Sequence, residues 1–158
     1  MDDLLPQLLE AWHTNNRINL FLVERIDEEG MKCTLSKRGG RNVVRQLAHL
    51  HNVRAWHLES RARDLSKGLH VFATQDEPDK KTLAAALTAS ADAIATFLTR
   101  CVTGEGKARP SKKGVISTLA YFVGHEAHHR GSILLTLKQC GHRLEQEASY
   151  AIWDWDKI

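Results

Sequence analysis

Apolar residues recur along the chain at intervals of three and four, the period of a helix with one buried face. Over residues 3–27 the stripe runs through Leu5, Leu8, Leu9, Trp12, Leu22, Val23 and Ile26 and ends before DEEG. Asn15, Asn16 and Asn19 interrupt it in its middle third, which fits either polar groups facing a cavity or a solvent-exposed turn. MKCTLSKRGGRN reads as a loop on its paired glycines. Asn42 is a fitting N-cap for a second helix through VVRQLAHLHNVRAWHLESRARDL, broken at SKG. After LHVFATQDEP, residues 80–102 are alanine-rich and free of proline and glycine, predicting a third helix. TGEGKARPSKKG is a connector, and a fourth helix follows from about Val115 to Gln139, stopped by Cys140 and Gly141. Four long helical segments with little strand signal predict an all-α four-helix bundle around one core. The tail EQEASYAIWDWDKI holds three of the chain's six Trp and Tyr residues, so it is expected to pack across the bundle.

Length and composition narrow this picture. With 158 residues the chain makes one domain with a sizeable core. Hydrophobic content of 42% and charged content of 26% are those of an ordinary globular protein. The net charge of +3 comes from 22 basic and 19 acidic residues that interleave, a solvated surface without the basic stripe a nucleic-acid partner requires. Cys33, Cys101 and Cys140 are widely spaced and odd in number, which points to free thiols in a reducing compartment. The N-terminus does not read as a secretory signal, and no unbroken apolar run reaches the roughly eighteen residues of a membrane span. A cytoplasmic protein with no membrane association is expected.

The departure from this ordinary pattern is histidine. There are nine, and five of them (His49, His51, His125, His128 and His129) fall in two clusters. The fourth helix carries HEAHHRGS inside the apolar run VISTLAYFVGHEAHHRGSILLTL. His125 and His129, four apart, stand on one face and can converge on a single ion. Leu119, Phe122, Ile133 and Thr136 lie near that stripe, so the face is expected to look inward, where an imidazole needs a partner such as a metal. On the second helix His49 shares a stripe with Val53 and Trp56. This favours it as third ligand over His51, which reads as an exposed polar residue, although the wide apolar face leaves His51 open; His57 and His142 also read as exposed. Three imidazoles from two helices would leave coordination positions for water or substrate, as in a catalytic site. His128 projects off the ligand face and reads as a supporting donor or proton shuttle.

HEAHH also satisfies H-E-x-x-H, in which Glu126 would be the general base of a zinc peptidase. The small size, the lack of a substrate-edge strand and the His49 cluster argue against that, and Glu126 reads better as a surface or ion-paired residue. Arg54 and Arg130, each within a turn of a ligand candidate, are candidates to hold an anionic substrate, with a surface salt bridge as the alternative for each.

LAHLHNVRAWHLE in the second helix and GHEAHHRGSILLTLKQCG in the fourth, together with helix order and length, closely resemble the DinB/YfiT superfamily of bacterial metal-binding four-helix bundles. The resemblance implies a long crossover connection, a tendency to form homodimers, and a divalent ion, often zinc or nickel. One histidine of the second helix and an H-x-x-x-H pair of the fourth would hold it, here His49, His125 and His129. Ser132 stands where the family's HHRGQ has glutamine. Better-understood relatives are transferases or isomerases that use a low-molecular-weight thiol, namely mycothiol, bacillithiol or glutathione. None of the three cysteines here matches a catalytic role. The expectation is a metal-dependent enzyme moving an electrophilic group of a small-molecule substrate onto such a thiol, with a metal-dependent hydrolase or a non-enzymatic, stress-associated metal protein as alternatives.

Overall fold

Residues 4–158 are described by a computed structural model. Among the described residues there are seven helices, α1 Leu4–Arg25, α2 Glu28–Lys32, α3 Val43–Arg61, α4 Arg63–Ser66, α5 Lys80–Thr103, α6 Val115–Gln139 and α7 Gln146–Ala151, and one isolated bridge between Ser111 and Gly114. The four long ones, α1, α3, α5 and α6, are those the apolar period predicts. α3 and α5 start at side chains that accept otherwise unpaired backbone N–H groups, whereas α6 starts after Gly114 without a side-chain cap. Asn42 accepts from Arg45 N at 3.1 Å and Asp79 from Thr82 N at 2.7 Å. α5 ends at Gly104, whose φ of 76° is the left-handed cap that glycine adopts without strain.

Two local expectations change. The segment read as unstructured after α1 contains the short α2, capped by Asp27. The second predicted helix breaks early at Ala62, where the backbone turns to φ −156° and ψ 63° before α4. The tail packs through its small and aliphatic residues: Ala148 and Ile152 are buried, whereas Tyr150, Trp153 and Trp155 remain exposed.

α1 lies chiefly against α5, with α6 as its other long neighbour, and α3 sits between α5 and α6. The consecutive long helices α1 and α3 are therefore not side by side, and the chain crosses the bundle between them. This is a four-helix bundle with crossover connections. Among the described residues α5 is long and apolar enough to cross a membrane by length and composition, with a mean hydropathy of 1.3. In the bundle its Leu83, Leu87, Ile94 and Phe97 are core residues.

The core is in two parts. One cluster gathers Ile18, Leu22, Leu47, Leu50, Leu87 and Ile133, with others; the second is built on Trp12, Leu58, Ile94, Phe97 and Phe122. Between them each long helix contributes buried polar groups: Asn15, Asn16 and Asn19 from α1, Arg54 from α3, Ser90 from α5, and Glu126 and Arg130 from α6. Such a layer is tolerated only if its members satisfy one another. Arg54 donates Nε to Glu126 Oε1 at 2.7 Å and Nη2 to Oε2 at 2.9 Å. Its Nη1 donates to Asn16 Oδ1, Leu87 O and Ser90 Oγ. The guanidinium also lies over the Trp12 ring at 4.7 Å. Asn15 and Asn19 donate to Glu126 Oε2 at 2.6 and 2.7 Å, and Arg130 donates to Asn19 Oδ1 at 3.0 Å. The asparagines that break the α1 stripe thus face neither a metal cavity nor solvent.

Candidate metal centre

The helical period that sends Phe122, Glu126, Arg130 and Ile133 inward turns His125 and His129 to the flank of α6 that meets α3. The expectation that these histidines occupy the inward stripe is corrected here: Glu126 takes that position, and the two imidazoles are half-buried beside it. His49 of α3 faces them. The three ring centroids are separated by 5.5 Å (His49 to His125), 5.0 Å (His49 to His129) and 4.7 Å (His125 to His129). One ring nitrogen from each lies within 4.8 Å of the others. Tyr121 stacks on His125 at 6.0 Å, and Trp56, half-exposed, meets His49 edge-on at 6.0 Å.

Burial sets the protonation of this group. It pushes His49 and His129 down to about 4, helped at His49 by the charge of Arg41 and at His129 by the neighbouring imidazoles. His125 is lowered for the same reason. At neutral pH all three rings are uncharged and their lone pairs are free, as metal ligands require. His129 Nδ1 is buried with no hydrogen-bond partner. A buried polar atom left unpaired is costly, and a divalent ion supplies the missing partner. The residues fit a divalent metal.

The other sequence candidates take different places. Glu126 is 1% exposed and fully engaged by Arg54, Asn15 and Asn19, so it is neither a ligand nor a base at the triad. Burial acts to raise its pKa, but Arg54, Asn19 and Arg130 outweigh that and hold it below the ordinary carboxylate value. Arg54 and Arg130 are buried in the polar layer, not on the surface, and the assignment of either to an anionic substrate is corrected: their donors point into the core. His128 is exposed, with its ring 5.3 Å from that of His129, and lies outside the cluster of converging nitrogens. His51 is not exposed as expected; it is buried, its ring nitrogens facing Ala86 O at 2.9 Å and His70 O at 2.6 Å, and cannot join the triad. His57 is half-buried against Tyr121 and Phe122, and His142 half-buried beside Asp27.

A family model described as the DinB family matches residues 1–155. The chain belongs to the DinB family. Neither the comparison with curated proteins nor that with solved structures gives a match. With its three-histidine cluster, this DinB protein is metal-associated.

Arg41, not singled out in the sequence, is exposed at the start of α3 and close enough to lower the pKa of both His49 and His129. It lines a small cleft of about 50 Å³ with Arg45, His49, Trp56, Phe72 and Thr74. A larger hollow of about 760 Å³ lies at Arg61, Arg100 and Lys107 and contains none of the triad. The only sequence signal for Arg41 is its place one residue before the Asn42 cap, about two helical turns ahead of His49.

Proposed function

We propose that His49, His125 and His129 hold a zinc or nickel ion and that the protein transfers an electrophilic group from a small molecule to a low-molecular-weight thiol. One observation carries this reading: three neutral imidazoles from two helices converge, while Glu126, next to His125 in α6, is turned away and consumed by Arg54. The chain then supplies three ligands and leaves the remaining positions to exogenous groups, the pattern of a catalytic metal. Bound there, a divalent ion is a Lewis acid that lowers the pKa of a thiol sulfur. Arg41 is placed to pair with a carboxylate of the thiol. Trp56 offers an apolar wall beside His49 for the electrophile. In the reaction a carbon–sulfur bond forms, the leaving group departs with its electron pair, and the thiol proton passes to solvent.

Elemental analysis of protein purified without an affinity tag, beside His49→Ala and His125→Ala, comes first. The expected result is near-stoichiometric zinc or nickel that both variants lose while keeping their helicity. Turnover of a chloronitroaromatic electrophile should then require both the metal and an added thiol. Substrate consumption that proceeds without thiol would place hydrolysis ahead, and a folded wild-type protein that binds no divalent metal would overturn the reading.

A further inference from the structure

Two cysteines 33 and 140, far apart in sequence, meet at one end of the bundle. Cys33 ends α2 and Cys140 ends α6. The Cys33 thiol donates to Glu29 O at 3.5 Å and is near enough to the Cys140 thiol for the two to influence each other's ionisation, and Cys140 Sγ lies 4.0 Å from the carbonyl of Thr34, the neighbour of Cys33. Both side chains are partly exposed. The backbone around them leads to the two helices that carry the triad: the Cys33 carbonyl accepts from Val43 N, the first residue of α3, at 3.0 Å, and Cys140 N–H donates to Thr136 O at the end of α6 at 2.9 Å. Nothing in the proposed transfer reaction uses these sulfurs.

We infer that Cys33 and Cys140 form an oxidisable dithiol, closed by a hydroperoxide into a disulfide that staples the start of α3 to the end of α6. The chemistry is balanced as follows. One sulfur of the pair, as thiolate, attacks one peroxide oxygen; the O–O bond breaks, the other oxygen leaves with the electron pair and takes up a proton, and that cysteine becomes a sulfenic acid. The second sulfur then attacks the first, the S–O bond breaks, and the hydroxyl leaves as water with the remaining thiol proton. Two thiols lose two electrons and the peroxide gains them. Burial and the neighbouring Cys140 thiol push the Cys33 thiol up to about 11. Cys101, half-buried on α5, lies outside this pair; burial raises its pKa.

Each cysteine falls in its own tryptic peptide, CTLSK, CVTGEGK and QCGHR. The folded protein is treated with stoichiometric hydrogen peroxide, alkylated, digested without reductant and mapped by mass spectrometry. The expected product joins CTLSK to QCGHR, leaves Cys101 alkylated, and reverts with dithiothreitol. The same treatment in urea should lose this selectivity. In Cys33→Ser or Cys140→Ser the remaining cysteine of the pair should accumulate as a sulfenic acid trapped by dimedone, with no intramolecular cross-link formed. Oxidation of all three cysteines at equal rates, Cys101 in the linked product, or links only between separate molecules would overturn the inference. None of these readouts depends on the metal or on turnover.

Discussion

Two polar clusters share the same two turns of α6, and they are built on opposite principles. On the inward side, Glu126 and Arg130 belong to a layer in which the protein answers nearly every donor and acceptor itself. On the flank facing α3, His125 and His129 join His49 in a group that ends with a buried nitrogen unpartnered. A polar cluster closed upon itself belongs to the architecture; one left open is a place for something to bind. Charge alone would suggest the reverse, since the closed cluster holds the ionised groups and the open one is neutral.

The contrast can be broken most forcefully from the closed side. Replacing Arg54 by Ala strands the Glu126 carboxylate, and removal of one partner of a buried pair costs about 3–5 kcal/mol. Urea denaturation should show that loss, and Arg54→Met combined with Glu126→Leu should recover part of it, because an apolar pair leaves no orphaned charge. A double variant no better than the single one would mean that the asparagines, and not the ion pair, hold the layer together. On the open side the expectation is inverted. His129→Ala should lower zinc affinity by more than about 100-fold, beyond the loss expected of a merely supporting residue, while the metal-free protein keeps its urea midpoint. A large loss of metal-free stability in that variant would erase the distinction between the clusters.

A smaller effect separates them by pH. His49 and His129 have folded pKa values of about 4 against an ordinary 6.5, so between those values the unfolded chain binds more protons than the folded one. The stability of metal-stripped protein should be level above pH 7 and fall as pH drops from 6.5 towards 4. Because the rings are half-exposed, the loss should be modest, seen as a decline of a few degrees in Tm at roughly 2–4 °C per kcal/mol. Saturating zinc should shift that decline to lower pH. A metal-stripped protein whose Tm is constant from pH 7 to 4.5 would contradict the burial of the triad. The smallest change is Asn15→Ala, which removes one hydrogen bond to a charged group, worth about 1.5–3 kcal/mol, but also an unpaired Oδ1. The two effects oppose, so a net loss of about 1 kcal/mol is expected, with zinc affinity unchanged.

The open cluster was more legible in the sequence than the closed one. The four long helices follow the apolar period closely, and α6 has the bounds it predicts, because its start and stop are marked by local residues. The triad is legible because its spacing of four is a geometric signature that needs no knowledge of the partner helix. The polar layer was not, although its trace is present: Asn19, Arg54, Ser90 and Glu126 each sit where the stripe of their helix calls for an apolar side chain. Read one helix at a time, such residues look like surface breaks. Only the packing of four helices at one level shows that each break answers another. The burial of His51 is hidden for a related reason, as its partners are carbonyls of Ala86 and His70, which no side-chain pattern announces. The break at Ala62 has no proline or glycine to mark it.

The crossover connection has a consequence for how the molecule is made. His49 lies on the second long helix to be synthesised, and its two partners lie on the last. A growing chain therefore carries one histidine of the triad long before it carries the others, and a single imidazole holds a divalent ion weakly. Capture of an ion by the triad would be deferred until α6 has emerged and docked, so an ion held there would report that the bundle has closed, and a chain stalled before α6 has no triad to load.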